Sequence, residues 1–178
     1  MQKNTRILTE TGMAIALAVV LDSLTIWKMP YGGSVTLAML PLFIIAFRWG
    51  ALSGILAGVG AGFLQLAFGG TIIHPAQLVL DYPLPFGLVG LAGLFKYQVQ
   101  SSKNISQTIW IFGAMFVGTF FRFITHILSG VIFFAEYAPE GQNVWLYSII
   151  YNGSYLLPSF LLCIIVILPL RRIIIEKR

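Results

Sequence analysis

Charge is what this sequence most lacks. Only 10% of its 178 residues are Asp, Glu, Lys or Arg, against roughly 25% in soluble domains, while 58% are hydrophobic. That balance excludes an ordinary soluble domain. A bilayer core of about 30 Å takes roughly 20 helical residues to cross, so the chain holds about six spans with short connections and no separate soluble domain. No G-x-x-x-x-G-K-S/T phosphate loop occurs, which excludes a nucleotide-driven motor within the chain. Any ATP use must then belong to partners. The single cysteine, Cys163, can form neither an internal disulfide nor a thiolate metal site, and in an apolar run it reads as packing. His-Glu-x-x-His is absent, and His74 and His126 have no acidic or thiol neighbours at metal-ligand spacing, so no metal site is expected.

What is present is apolar helix. Apolar runs and their breaks predict helices over about 6–24, 34–47, 51–68, 76–95, 107–135 and 144–170. Lys3 and Arg6 ahead of Ala14, Ala16 and Ala18 resemble a cleavable leader. Because the stretch continues as an ordinary span, it reads as the first helix. The expectation is an all-α integral membrane protein, residues 1–178 forming a single six-helix domain. An even number of spans places both termini on one side. That side carries Lys3, Arg6, Arg48, Lys96, Lys103, Arg171, Arg172, Lys177 and Arg178, against Lys28 alone on the other, so both termini are expected in the cytoplasm. The net charge of +5 then describes a face meeting anionic lipid, not a nucleic-acid groove.

Small residues recur at spacing four. Gly12 and Ala16 on the first helix, and Gly54, Gly58 and Gly62 on the third, would let helix backbones approach closely in lipid. For the third helix this reads as internal packing; for the first, a surface for a partner competes on equal terms.

Ionisable residues inside spans are rare and by default functional. Here they are Asp22, Asp81 and Arg122, with His126 one turn beyond Arg122. The plainer alternative for Arg122 and Asp22 is a buried structural pair. Asp81 differs, because it precedes Tyr82, Pro83 and Pro85 and follows a loop holding His74 and Pro75, where a pocket open to the outside would end. The fifth helix brings His126, Gly130 and Phe134 to similar depth at spacing four. The sixth opens with Trp145, Tyr147, Tyr151, Asn152 and Tyr155, only partly explained by an interfacial aromatic belt. A carboxylate, an imidazole, an amide, phenols and aromatic faces in one layer suit a small, flat, hydrogen-bonding cation. Catalysis fits less well: Ser154 with His126 would make a dyad for an intramembrane protease, but Asn152-Gly-Ser-Tyr155 lacks the Gly-x-Ser-Gly pattern of that class.

Five stretches carry a resemblance: Met29-Pro-Tyr-Gly-Gly-Ser-Val35, Phe47-Arg-Trp-Gly50, His74-Pro-Ala-Gln-Leu-Val-Leu-Asp-Tyr82, His126-Ile-Leu-Ser-Gly-Val-Ile-Phe-Phe134 and Val144-Trp-Leu-Tyr-Ser-Ile-Ile-Tyr-Asn-Gly-Ser-Tyr155. Over nearly its whole length the chain resembles the thiamine-specific substrate-binding (S) components of bacterial energy-coupling factor transporters. The resemblance implies the six-helix S-component fold, capture of extracellular thiamine beneath the loop joining the first two helices, and delivery through a shared membrane scaffold subunit and two cytoplasmic ATPases. It places ligand contacts on Asp81, Tyr82, His126, Gly130, Phe134, Tyr147 and Asn152, lid positions on Trp27, Tyr31 and Gly33, and the scaffold-facing motif on Gly12 and Ala16. Some family members carry Glu at the Asp81 position and tryptophans at the positions of Phe134 and the lid.

The expected function is therefore a thiamine-binding subunit of a vitamin uptake transporter in the bacterial cell membrane, with no cofactor, no metal, no catalytic residues and ATP spent only by partners. The alternatives are an S component for a thiamine precursor or related vitamin, the protease built on Ser154 and His126, and a structural subunit without a ligand.

Overall fold

The structure, a computed structural model, describes residues 2–174; Lys177 and Arg178 of the basic count lie outside the described residues. Helix α1 (Gln2–Ser23) leads into a small hairpin of β1 (Trp27–Lys28) and β2 (Ser34–Val35), after which α2 (Met39–Trp49) and α3 (Ala51–Ala67) follow. Next come α4 (Pro75–Asp81), α5 (Pro83–Val89), a 3-10 stretch (Gly90–Phe95) and α6 (Lys96–Ser101), stacked into one composite span. Two long helices, α7 (Asn104–Phe133) and α8 (Val144–Ile174), complete the bundle, with a 3-10 turn (Ala135–Tyr137) between them. Among the described residues, four stretches are long and apolar enough to cross a membrane: Lys3–Ser23, Pro75–Ser101, Asn104–Phe133 and Val144–Arg171. The predicted second and third helices are present but shorter, at 11 and 17 residues.

Helix α2 is apolar all round and is accordingly the buried axis of the bundle. Leu42, Phe43, Ala46 and Phe47 have no exposed surface, and α2 touches α1, α3, α5, α6 and α8. Its start, expected near residue 34, is displaced to Met39. Gly32 and Gly33 take positive φ (+96° and +83°) and turn the preceding segment back on itself, pairing Trp27 with Val35 and Lys28 with Ser34. Glycine alone adopts such angles without cost.

The predicted fourth helix is the other revision, because Pro83 and Pro85 interrupt it. Proline lacks an amide hydrogen and drives the residue before it out of the helical region, and Tyr82 sits at φ −118°, ψ −84°. Packing on α3 stabilises the broken span. A β-carbon at Gly58 would collide with the Phe86 carbonyl, and one at Gly62 would lie 2.5 Å from the Tyr82 carbonyl oxygen. The small residues of α3 thus serve internal packing.

Helix α1 meets the bundle through buried Ala14 and Ala18 and through Ile15, which lies against Gly60. Gly12 and Ala16 occupy its outer, exposed face together with Leu8, Met13, Leu17 and Val20. Glu10 fastens the same helix to the α2–α3 turn: its Oε1 accepts from Arg6 Nε (2.8 Å) and Arg48 Nη2 (3.2 Å), and its Oε2 from Trp49 Nε1 (2.7 Å).

Candidate functional site

Asp81 ends α4, where the proline break leaves its carboxylate at a helix terminus instead of within a continuous span. Its Oδ1 lies 3.5 Å from His126 Nδ1, and its Oδ2 accepts from Gln77 Nε2 at 2.7 Å. The first pair joins α4 to α7 across the bundle. On α7, Thr119, Arg122, His126 and Ser129 recur at spacings of three and four and so share one face. All four are buried, yet Thr119 Oγ1, Arg122 Nε and Nη1, His126 Nε2 and Ser129 Oγ have no hydrogen-bond partner. An unpaired buried polar group costs roughly 1–3 kcal/mol, so a row of them marks a face suited to polar groups from outside the chain. The guanidinium carbon of Arg122 sits 3.8 Å from the centroid of the Phe86 ring, a cation–π contact that holds the charge on an aromatic face. No ion pair joins Arg122 to Asp22 among the described residues; Asp22 instead accepts from Thr36 Oγ1 at 3.4 Å.

Above this polar layer lies a set of rings contributed by α8, the hairpin and the α7–α8 connection. Tyr147, Tyr151 and Tyr155 project from one face of α8 at spacing four, with successive ring centroids 5.7 and 6.4 Å apart. Tyr155 meets His126 edge to face at 6.2 Å. The phenol of Tyr151 grips the hairpin tip twice, accepting from the Tyr31 amide (2.8 Å) and donating to the Gly32 carbonyl (3.0 Å). Tyr31 in turn stacks on Tyr137 at 4.5 Å, and Tyr137 on Phe134 at 6.0 Å. Gly33 closes directly over Tyr155, where a β-carbon would stand 2.5 Å from the ring.

Asp81, His126, Phe134, Tyr147, Tyr31 and Gly33 are thus brought into one region by four different segments. At Gly130 a β-carbon would strike Ser148 Oγ, so the glycine lets α7 and α8 approach. Asn152 lies in the layer but is engaged by the protein. Its Nδ2 donates to the Ser148 carbonyl (2.9 Å) and Ser148 Oγ (3.2 Å), and its Oδ1 accepts from Tyr155 (2.7 Å). Tyr82 donates its phenol to the Thr71 carbonyl (3.3 Å), which also accepts from Gln77 Nε2 (3.2 Å), and its ring lies against Gly70. Trp27 is 66% exposed on the hairpin, whereas Tyr31 makes the ring contacts.

The protease dyad is not assembled. Ser154 donates to the Tyr151 carbonyl at 2.7 Å, whereas His126 turns Nδ1 to Asp81. Among the described residues no cluster of three or more His, Cys, Asp or Glu could hold a metal ion. Gln77 and Tyr137 are not among the residues the sequence points to, and Tyr151 is named there only as one of the aromatics of the sixth helix. The first two gave weak signals, a lone amide one turn before an aspartate and a tyrosine in a loop, but Tyr151 was legible in the spacing of the α8 tyrosines.

Comparison with known proteins supplies what geometry does not. The sequence model of a family described as thiamine transporter protein matches residues 8–177. A thiamine transporter, ThiT, of Bacillus subtilis is 39% identical over 168 residues, covering 90% of this chain and 87% of that protein. The ThiT of Lacticaseibacillus paracasei is 33% identical over 169 residues, covering 90% and 84%. A solved structure of ThiT from Listeria monocytogenes superimposes with a TM-score of 0.89 at 30% identity, over 98% of this chain and 100% of that one.

Proposed function

The chain belongs to the thiamine transporter protein family, and from that premise we propose that it is the thiamine-binding membrane subunit of a vitamin uptake transporter and not an enzyme. The observation that carries the reading is the pairing of Asp81 with His126 beneath a set of tyrosine rings. Thiamine joins a permanently cationic thiazolium to an aminopyrimidine. Asp81 offsets the ring's positive charge or accepts from the exocyclic amine, and His126 Nε2, which has no protein partner, is free to bond a polar edge. Tyr147 and the remaining lone pair of Asn152 serve the same purpose, while Phe134 and Tyr31 supply faces on which flat cationic rings stack. Arg122 would oppose a cation placed beside it. Its charge rests instead on Phe86, and its part is to brace and tune the layer.

The hairpin is the lid. Tyr31 and Gly32 held by Tyr151, and Gly33 seated on Tyr155, support a lid that closes over a captured ligand from the outside. Residues 1–178 act as one domain. The basic residues on the terminal side place both termini in the cytoplasm and the lid outside. Transport then proceeds through an energy-coupling scaffold subunit and two ATPases, which alone use ATP. Gly12 and Ala16, on the outer face of α1 with no heavy atom within 4 Å of a β-carbon at Gly12, are where a scaffold helix approaches closely.

Competition between thiamine and its two halves tests the ligand assignment. Each half should displace labelled thiamine at least about a hundredfold more weakly than thiamine itself, because linking both groups spares a second ordering cost. A pyrimidine or thiazole fragment binding as tightly as the whole vitamin would reassign the protein to a precursor.

A further inference from the structure

Gln77 has a role that its residue type does not announce. It is 1% exposed, on a helix of only seven residues, Pro75–Asp81. Its Nε2 donates to Asp81 Oδ2 at 2.7 Å and to the Thr71 carbonyl at 3.2 Å, and its Oε1 accepts from the Ile73 amide at 3.2 Å. Both amide hydrogens and one carbonyl lone pair are thereby used. The same loop is fixed from its other end, where His74 Nδ1 accepts from the Ala76 amide and the imidazole stacks on Phe133 at 5.2 Å.

Such fixation matters because of where Asp81 stands. A carboxylate at a helix C-terminus faces the negative end of the helix dipole, and about two turns of isolated helix do not hold their own shape. Left to itself, the Asp81 side chain would swing away from the helix end and sample several rotamers. Gln77 removes that freedom. It directs one carboxylate oxygen along α4, so that the other points to His126, and it ties this orientation to residues 71–73 of the preceding loop.

We propose that Gln77 is a positioning residue that holds the Asp81 carboxylate in register for the positive charge of the bound ligand. The proposal rests on the thiamine reading above. Pre-orienting a charged partner lowers the ordering cost at binding, and hydrogen bonds to ionised groups are the stronger ones. Losing Gln77 should therefore weaken binding in proportion to the ligand's charge. A residue that only maintained the pocket's shape would weaken charged and uncharged ligands alike.

The test uses two ligands, thiamine and an uncharged isostere with carbon in place of the quaternary ring nitrogen, on the purified full-length chain in detergent. Dissociation constants are measured for wild type and Gln77→Met, with thermal unfolding of the ligand-free proteins as the control for folding. The expected result is a loss of about tenfold or more for thiamine and less than about twofold for the isostere. In an Asp81→Asn background the same Gln77 substitution should change thiamine affinity by less than about twofold. Should Gln77→Met fail to fold, Gln77→Asn, which keeps an amide but falls one methylene short of Asp81, should show the same selective loss. Equal losses for the two ligands, or no loss for thiamine, would overturn the role. Wild-type protein that binds neither ligand would overturn the thiamine reading itself and the role with it.

Discussion

Gly33 lies against the ring of Tyr155 so closely that a β-carbon on the glycine would stand 2.5 Å from Cε1 and 2.8 Å from Cζ. The hairpin therefore seats on α8 at a point where only hydrogen fits, and its backbone there has φ +83°, which also favours glycine. In Gly33→Ala the lid cannot settle while Tyr155 stays on His126. Thiamine should leave about tenfold faster or more, with the unfolding temperature of the ligand-free protein shifted by only a few degrees. Stopped-flow displacement measures the rate; an unchanged rate would show that the contact does not hold the ligand in.

The phenol of Tyr151 holds the same hairpin, bonded to the Tyr31 amide and the Gly32 carbonyl. Tyr151→Phe keeps the ring beside Tyr147 and Tyr155 and deletes only the oxygen. Two hydrogen bonds at about 0.5–1.5 kcal/mol each correspond to a loss of roughly five- to a hundredfold in affinity, carried mainly by the dissociation rate. Calorimetry with displacement kinetics separates the two. A slower association with unchanged dissociation would place the phenol's effect elsewhere.

Helix packing makes a prediction that does not involve the ligand. At Gly58 an added methyl would meet the Phe86 carbonyl, which belongs to backbone and cannot rotate aside. Gly58→Ala should destabilise the protein by roughly 1–3 kcal/mol, read as a lower unfolding temperature in detergent. At Gly12, where nothing lies within 4 Å, alanine should leave that temperature unchanged.

These contrasts show what the sequence makes legible. The six apolar segments, and the layer holding Asp81, His126, Phe134 and Tyr147, follow from hydropathy and from spacings of four, which put side chains on one helix face whatever the tertiary fold. Tertiary events were not legible. Whether Tyr82 turns inward depends on how Pro83 redirects the backbone, and the start of α2 depends on the hairpin formed by Gly32 and Gly33. Asn152 was visible as a polar residue on the correct face, but its engagement by Ser148 and Tyr155 depends on the closeness of α7 and α8 that Gly130 permits. The choice between Trp27 and Tyr31 rests on a stacking partner, Tyr137, more than a hundred residues away in the chain.

A substitution on the outer face of α1 tests binding and assembly separately. Gly12→Leu should leave thiamine affinity within about twofold of wild type, because the position is exposed and remote from Asp81. It should abolish co-purification with the scaffold subunit, since a bulky side chain keeps the helices apart. Assembly of the variant at wild-type yield would remove α1 from the docking surface.

Thiamine binding through the layer anchored on Asp81 and His126 is open to direct measurement. Calorimetric titration of the purified protein with thiamine, beside Asp81→Ala at matched concentration, tests it most directly. Wild type should show saturable one-to-one binding at submicromolar thiamine. The variant should bind with an affinity lower by about tenfold or more, a change of at least about 1.4 kcal/mol, in a protein with an intact thermal transition. Equal affinity in the two proteins, or no binding to folded wild type, would contradict it.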